Sequence, residues 1–485
     1  MAFDAGKIDA MKENVLSSSG GAYKSLLIFI LSMAVYLFYF AGAYPGLFSR
    51  DVQLALFTLL DSGEYFKFII PIDLQFSFFY NLYILIFYSI SRNLVALGLF
   101  QAALASALNV YCWNALSKYS KEKIAWTVVL LMIFSPLNGI ETAWYHRSSL
   151  LAYLIFANLV WLYRFSKGCE FKKFESILFF ANLLVIANLR IDGIIISLAS
   201  ACIYILKGKK GATFRVAFLA LLMFSAAINF FIVKSSDKFY LILPFVFSVQ
   251  RVHQESGAEF RANDIKVLRS VSPSESARRV WLKGDDQIDD LRNIFDDEVK
   301  PSDANNFVRW SALFLTKNAS LFLKTQTEIF FNSSLLKRKF QSFYLYRDNE
   351  YRGDEVYAKI NEKVDIAHKP YMDLPNRIAD FIYLNSYSAS GVIPSDPGYF
   401  LYTLFFGTFV PFIFIFLYFV MALMRNRAAL IPLIPLILYG IFMFLFQPRS
   451  KCYYWYWLAY ANYFIVFAIG CDVFFVKKQS NRHDE

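Results

Sequence analysis

Cysteine and histidine are scarce in this chain, with five and four respectively in 485 residues. Cys112, Cys169, Cys202, Cys452 and Cys471 are scattered, and none falls between residues 235 and 398. Neither a disulfide framework nor a CxxC metal site is expected. His146, His253, His368 and His483 have no metal-ligand spacing. No Walker loop, GxGxxG or GxSxG element occurs, so soluble nucleotide chemistry is not expected. The acidic "GDDQIDD" (Gly284–Asp290) has too few glycines for a calcium loop and reads as a solvated helix face. There is no internal repeat and no low-complexity tract. Charge is thin as well, at 18% of residues against 57% hydrophobic and 19% aromatic, and the mean hydropathy is +0.41. One soluble core does not need that much apolar sequence, so the expected class is an all-α polytopic membrane protein.

The formal charge of +11 would suggest nucleic acid in a soluble protein. Here the polar stretch 235–398 is close to neutral, and the excess positive charge lies in short loops between apolar runs. That is the positive-inside pattern, and no nucleic-acid partner is expected.

A span needs about 20 apolar residues. Candidates are 25–43, 75–91, 94–116, 124–140, 148–164, 175–206, 213–233, 399–424, 428–446 and 455–476. The stretch 175–206 is too long for one helix and carries Arg190 and Asp192 in "NLRIDGII". A charge at mid-bilayer costs at least ~2.5–3.5 kcal/mol, so a helical hairpin with its tip reaching water is expected. If 75–91 lies in the outer leaflet without crossing, Lys118–Lys123, Arg164–Lys173, Lys207–Lys210, Arg425–Arg427 and Lys477–Arg482 all fall on one side. The reading is about ten transmembrane helices with both ends cytoplasmic, plus one partly embedded outer-leaflet helix.

The expected organisation is a cytoplasmic stretch 1–24, an N-terminal transmembrane module 25–234 with an outer loop 44–92, and a mainly helical extracytoplasmic domain 235–398. A three-helix module 399–476 and a cytoplasmic tail 477–485 follow. The first apolar run lacks a cleavage site and reads as an uncleaved first span. Two sequons, Asn318-Ala-Ser and Asn332-Ser-Ser, are short matches with meaning only in a secretory pathway.

Polar residues that break the basic-loop rule converge on the outer face. In "YPGLFSRDVQLAL" (Tyr44–Leu56), Asp51 has two readings: a carboxylate that complements the N-terminus of a helix capped by Ser49, or a general base at the mouth of a membrane cavity. Arg50 precedes it. Glu141, His146 and Arg147 lie in the outer loop Ser135–Ser149, where Arg147 taken alone reads as an arginine snorkelling to headgroups. Arg190 with Asp192 reads alone as an ion pair, and Arg449 and Lys451 beside Tyr453 as an anchor in an aromatic belt. Together they set several outward cations beside one carboxylate, as a phosphate-bearing ligand at the membrane surface requires.

The ordered set "YPGLFSRD", "IIPIDLQFSFFY", the "SP…W" loop and the "LRIDG" turn resembles the GT-C class of membrane glycosyltransferases. The likeness covers most of the first 235 residues and extends to "RWSALFLTKNASLFLKT" and "QPRSKCYYWYW". It implies a polyprenyl-phosphate-linked sugar donor, membrane lipid as surroundings, and transfer to a hydroxyl of a glycan acceptor on the outer face. Asp51 would take the acceptor proton. Arg147, Arg190, Arg449 and Lys451 would hold the donor phosphate, with Arg50, Glu141, His146, Asp192 and Tyr453 in support. A single acidic residue replaces the acidic pair of better-known members, and the following helix lacks a His-Pro-Pro start. No cofactor is implied, and nothing in the sequence supports a divalent cation. The absence of a WWDYG-like element argues against an oligosaccharyltransferase.

Size and span number also resemble the bacterial and phage enzymes that add glucosyl branches to O-antigen. That resemblance implies a hexosyltransferase of the bacterial inner membrane with a periplasmic active site. A flippase or transporter of lipid-linked sugars, or an O-antigen polymerase or ligase, stands as the alternative.

Overall fold

The computed structural model describes residues 5–48, 78–190, 192–207, 239–257, 260–272, 299–333, 409–446 and 456–475 except at 258–259 and similar short gaps, together with isolated positions that include Val52, Leu56 and Leu60. Apart from one pair of two-residue strands, the described elements are helical. Five helices are long and apolar enough to cross a membrane, or six if one bent pair counts as a single span, and three shorter apolar helices accompany them. The chain is an all-α membrane protein at this level of description.

Helix α1 (Ala5–Gly42) packs antiparallel on α3 (Val95–Tyr119), after the short α2 (Phe78–Ile90). Polar contacts fix that register: Ser25 Oγ donates to Asn114 Oδ1 at 2.9 Å, and the Asn109 amide donates to Ser32 Oγ at 3.2 Å and the Tyr36 hydroxyl at 2.9 Å. Apolar surfaces alone give little preference for one rotation over another, so the buried Asn109 amide and the exposed Asn114 contact set which faces meet. Helix α2 has 13 residues, about 20 Å of rise, short of a hydrocarbon core of about 30 Å.

The expected straight span 124–140 is instead broken. Helix α4 (Glu122–Ile133) and α5 (Pro136–Ala143) meet at 51°. Pro136 forces the break, because the residue before proline is driven out of the helical region, and it suits the first position of a new helix. Ser135 caps α5 by accepting the Asn138 amide. The stretch read as an outer loop is therefore a helix whose residues from Leu137 to Ala143 are all buried.

After α5 the strand β2 (Trp144–Tyr145) pairs in parallel with β1 (Leu47–Phe48), Leu47 opposite Trp144 and Phe48 opposite Tyr145. The Tyr145 hydroxyl donates to the Pro45 carbonyl at 2.7 Å. Gly46 lies at φ +132°, and a Cβ there would sit 2.2 Å from the Tyr145 ring. Gly46→Ala is expected to cost about 1–3 kcal/mol through a backbone region closed to L-residues, measured as a lowered unfolding midpoint of the detergent-purified protein. An unchanged midpoint would mean that this corner adds nothing to stability.

Helix α6 (Arg147–Ser166) is the central post, buried around most of its circumference, with α3, α7 (Lys173–Leu189), α14 (Leu430–Phe446) and α15 (Tyr456–Tyr463) against it. Its 20 residues span about 30 Å. At its C-terminal end Arg164 bonds the Glu175 carboxylate at 2.9 Å and the Tyr111 hydroxyl at 2.7 Å, and Lys167 meets Asp472 at 2.6 Å. These cations complement the helix dipole.

The expected hairpin is present. Helices α7 and α8 (Gly193–Lys207) pack together, with Ser197 Oγ donating to the Leu183 carbonyl and Ser176 meeting the Tyr204 hydroxyl, a register that only an antiparallel pair produces. Its tip differs from expectation. The Arg190 and Asp192 side chains are only 10% and 9% exposed, because neighbouring helices cover them.

Beyond the bundle, α9 (Phe239–Ser256), α10 (Ala262–Val271), α11 (Pro301–Lys317) and α12 (Ala319–Ser333) enclose a second core around Val246, Val249, Leu268, Trp281 and Phe307. Buried amides tie it, Gln250 to the Trp281 carbonyl at 2.6 Å and Gln326 to Ser248 at 2.7 Å. Phe245, packed against this core, meets Phe446 of the bundle, and Phe330 of α12, itself part of the bundle core, packs on Phe412. Helices α13 (Phe409–Arg425), α14, α15 and α16 (Gly470–Phe475) complete the described chain.

Candidate functional site

The N-terminal end of α6 gathers five of the candidate residues. Arg50, Asp51, Arg449, Lys451 and Tyr453 lie outside the described residues. His146 caps the helix: its Nδ1 accepts the Ser148 amide at 3.0 Å, which in the neutral ring leaves the proton on Nε2. The imidazole stacks on the Trp144 indole, with centroids 4.6 Å apart and planes at 12°. Arg147 is half-buried in the first helical turn, which holds no acid. A cation there opposes the helix dipole, and the two together favour an anion in front of them.

Two adjacent serines divide the site. Arg190 Nη1 donates to Ser148 Oγ at 2.9 Å while its Nε donates to Asp192 Oδ1 at 2.9 Å. The other carboxylate oxygen of Asp192 accepts the Tyr439 hydroxyl of α14 at 2.8 Å. Ser149 Oγ donates to Glu141 Oε2 at 2.6 Å, and Glu141 is 2% exposed. Successive residues of a helix point about 100° apart, so Ser148 and Ser149 meet the Arg190–Asp192 pair and the α5 carboxylate on different sides of α6.

Local sequence explains how Arg190 comes to be there. It ends α7 in an extended conformation (φ −146°, ψ 144°), and Asp192 opens α8, each charge at the helix end that favours it. Gly193 follows where a Cβ would lie 2.2 Å from the Ile186 carbonyl oxygen, so only glycine lets the arms close this tightly.

The strand pair adds the remaining element. β1 ends at Phe48, three residues before Asp51, and β2 ends at Tyr145, two before Arg147. The chain that enters the "SRD" segment thus runs beside the chain that enters α6. Val52 and Leu56, just after Asp51, are wholly buried in the bundle core.

Ser148, Ser149 and Tyr439 were not among the candidates read from sequence. The signal for Tyr439 was a single hydroxyl in the otherwise apolar "LIPLIPLILYGIFMFLF", and for the serines a polar pair directly after His146-Arg147. Among the described residues no group of three or more histidine, cysteine, aspartate or glutamate side chains gathers as a metal site.

No family model, curated protein or solved structure matches this chain.

Proposed function

We propose that this chain is an integral-membrane glycosyltransferase that moves a hexose, glucose foremost, from polyprenyl phosphate to a hydroxyl of a cell-surface glycan such as O-antigen. The reading includes a GT-C-like bundle of ten spans in the bacterial inner membrane, with both termini cytoplasmic and the site facing the periplasm. The observation that carries it is the β1–β2 pair, which runs the chain leading to Asp51 beside the chain entering α6, the helix that Arg147 opens and whose Ser148 bonds Arg190.

In the proposed reaction the acceptor oxygen attacks the anomeric carbon, the bond from that carbon to the phosphate oxygen breaks, and Asp51 takes the acceptor proton. Charge grows on the departing polyprenyl phosphate. Arg147 and Arg190 at the positive end of α6, joined by Arg449 and Lys451, stabilise it; fixed donors of this kind usually supply the largest single catalytic contribution. The lipid tail holds the donor at the interface, and the apolar bundle keeps out water that would hydrolyse it.

The test is transfer of labelled glucose from a synthetic polyprenyl-phosphate donor to lipid-linked glycan, in membranes with and without the protein. Labelled glycan that appears only with the protein is the expected result. No transfer of any hexose by well-expressed protein would sink the reading.

A further inference from the structure

Helix α1 fixes where one membrane boundary lies. Its apolar part, Gly21–Gly42, has 22 residues, about 33 Å of rise against a hydrocarbon core of about 30 Å, so Gly42 stands at that boundary. The β1–β2 pair sets the start of another span, Arg147–Ser166, close to the same level. A stretch more than three hundred residues along the chain is fastened there. The Tyr371 amide donates to the Ala41 carbonyl at 2.9 Å, and the Tyr371 ring packs on Tyr44 with centroids 4.4 Å apart. Pro375 is buried. Yet Tyr371 is 71% exposed, Met372 44% and Leu374 56%. Elsewhere among the described residues between 235 and 398, the exposed large apolar side chains, Ile265, Leu313 and Leu323, stand singly.

Single exposed apolar residues are ordinary, whereas three within four positions, on backbone held by a hydrogen bond, mark a contact surface. Their place in the fold names the partner. A group bonded one residue before the end of a span sits at the level of the lipid headgroups. Tyrosine is enriched at that level, where its ring meets apolar surface and its hydroxyl meets water. Methionine and leucine gain by leaving water for acyl chains. We propose that Tyr371, Met372 and Leu374 dip into the leaflet that borders the C-terminal end of α1, which is the outer one in the proposed topology. The stretch 235–398 is then fastened to lipid at Tyr371–Leu374 as well as to the bundle. This contact goes beyond the glycosyl-transfer reading, which does not require it.

The test is photolabelling of the purified full chain in nanodiscs whose phospholipids carry a diazirine at the top of an acyl chain. Lipid adducts are expected on the peptide that holds Tyr371–Leu374, and on Leu26, Leu27 and Ile30, which are exposed on the α1 span. Met372→Asp combined with Leu374→Asp is expected to abolish the first set, because carboxylates withdraw from lipid, and to keep the second. The kept set shows that the variant is still folded in the membrane. If the variant loses both sets, the wild-type labelling decides. Labelled α1 with an unlabelled Tyr371–Leu374 overturns the contact, and so do adducts that persist undiminished in the double variant. Should the unlabelled stretch be shielded from hydroxyl-radical oxidation by a soluble glycan, its partner is a sugar and the lipid contact is overturned as well. None of these readouts involves transfer, so failure of the glycosyltransferase reading and failure of this contact are told apart.

Discussion

Asp51→Asn is expected to lower sugar transfer by about 10²–10⁴-fold, the usual contribution of a positioned general base, with protein level and donor affinity unchanged. The substitution keeps size and removes only the ability to take a proton. Val52 and Leu56, which follow it in the chain, are buried in the bundle core. The fall should appear in kcat, with KM for the donor steady, because the interaction lost is made in the transition state. Asp51→Glu, which restores the carboxylate on a longer arm, should recover part of the rate. If Asp51 only complements a helix dipole, the same variant costs a few tenths of a kcal/mol of stability and transfer proceeds normally. Assays in membranes matched for protein level separate the two outcomes.

Arg190→Met and Asp192→Asn are each expected to destabilise the protein by about 3–5 kcal/mol, the scale for breaking one half of a buried ion pair. Loss of Arg190 leaves the Asp192 carboxylate with the Tyr439 hydroxyl and strips Ser148 of its donor. Loss of the Asp192 charge leaves a buried guanidinium. The double variant should be more stable than the sum of the single effects predicts, by about 1–3 kcal/mol, since neither charge is then stranded. Unfolding in detergent measures this. Transfer supplies the second readout: the double variant should refold the tip yet remain inactive, because the phosphate has lost a cation. Single effects below about 1 kcal/mol would show instead an exposed pair of the ordinary surface kind.

The positions of the apolar helices were legible because bilayer thickness sets a length that a hydropathy pattern displays. The hairpin was legible for a related reason, since two charges amid apolar residues leave a turn as the low-cost solution. The break at Pro136 was not recognised, although the proline and the Ser135 cap were both in plain sight; the apolar run on either side is long enough to conceal them. Burial of Arg190 and Asp192 depends on Tyr439 and on the helices packed over the tip, which no local pattern encodes. The β1–β2 pair had no signature at all, because two residues on each side are too few for alternation to show. Glu141, Arg190 and Asp192 were named from the sequence, whereas the Ser149, Ser148 and Tyr439 hydroxyls that bond them were not.

The bond from Tyr439 to Asp192 joins residues 247 positions apart. At synthesis rates of roughly 5–20 residues per second, roughly 12–50 s separate the emergence of the two from the ribosome. During that interval the Asp192 carboxylate sits in a newborn N-terminal module without its phenol. The Arg190–Asp192–Tyr439 cluster is therefore completed only as α14 is inserted, and a chain whose translation stops before it carries that arginine and aspartate without their phenol.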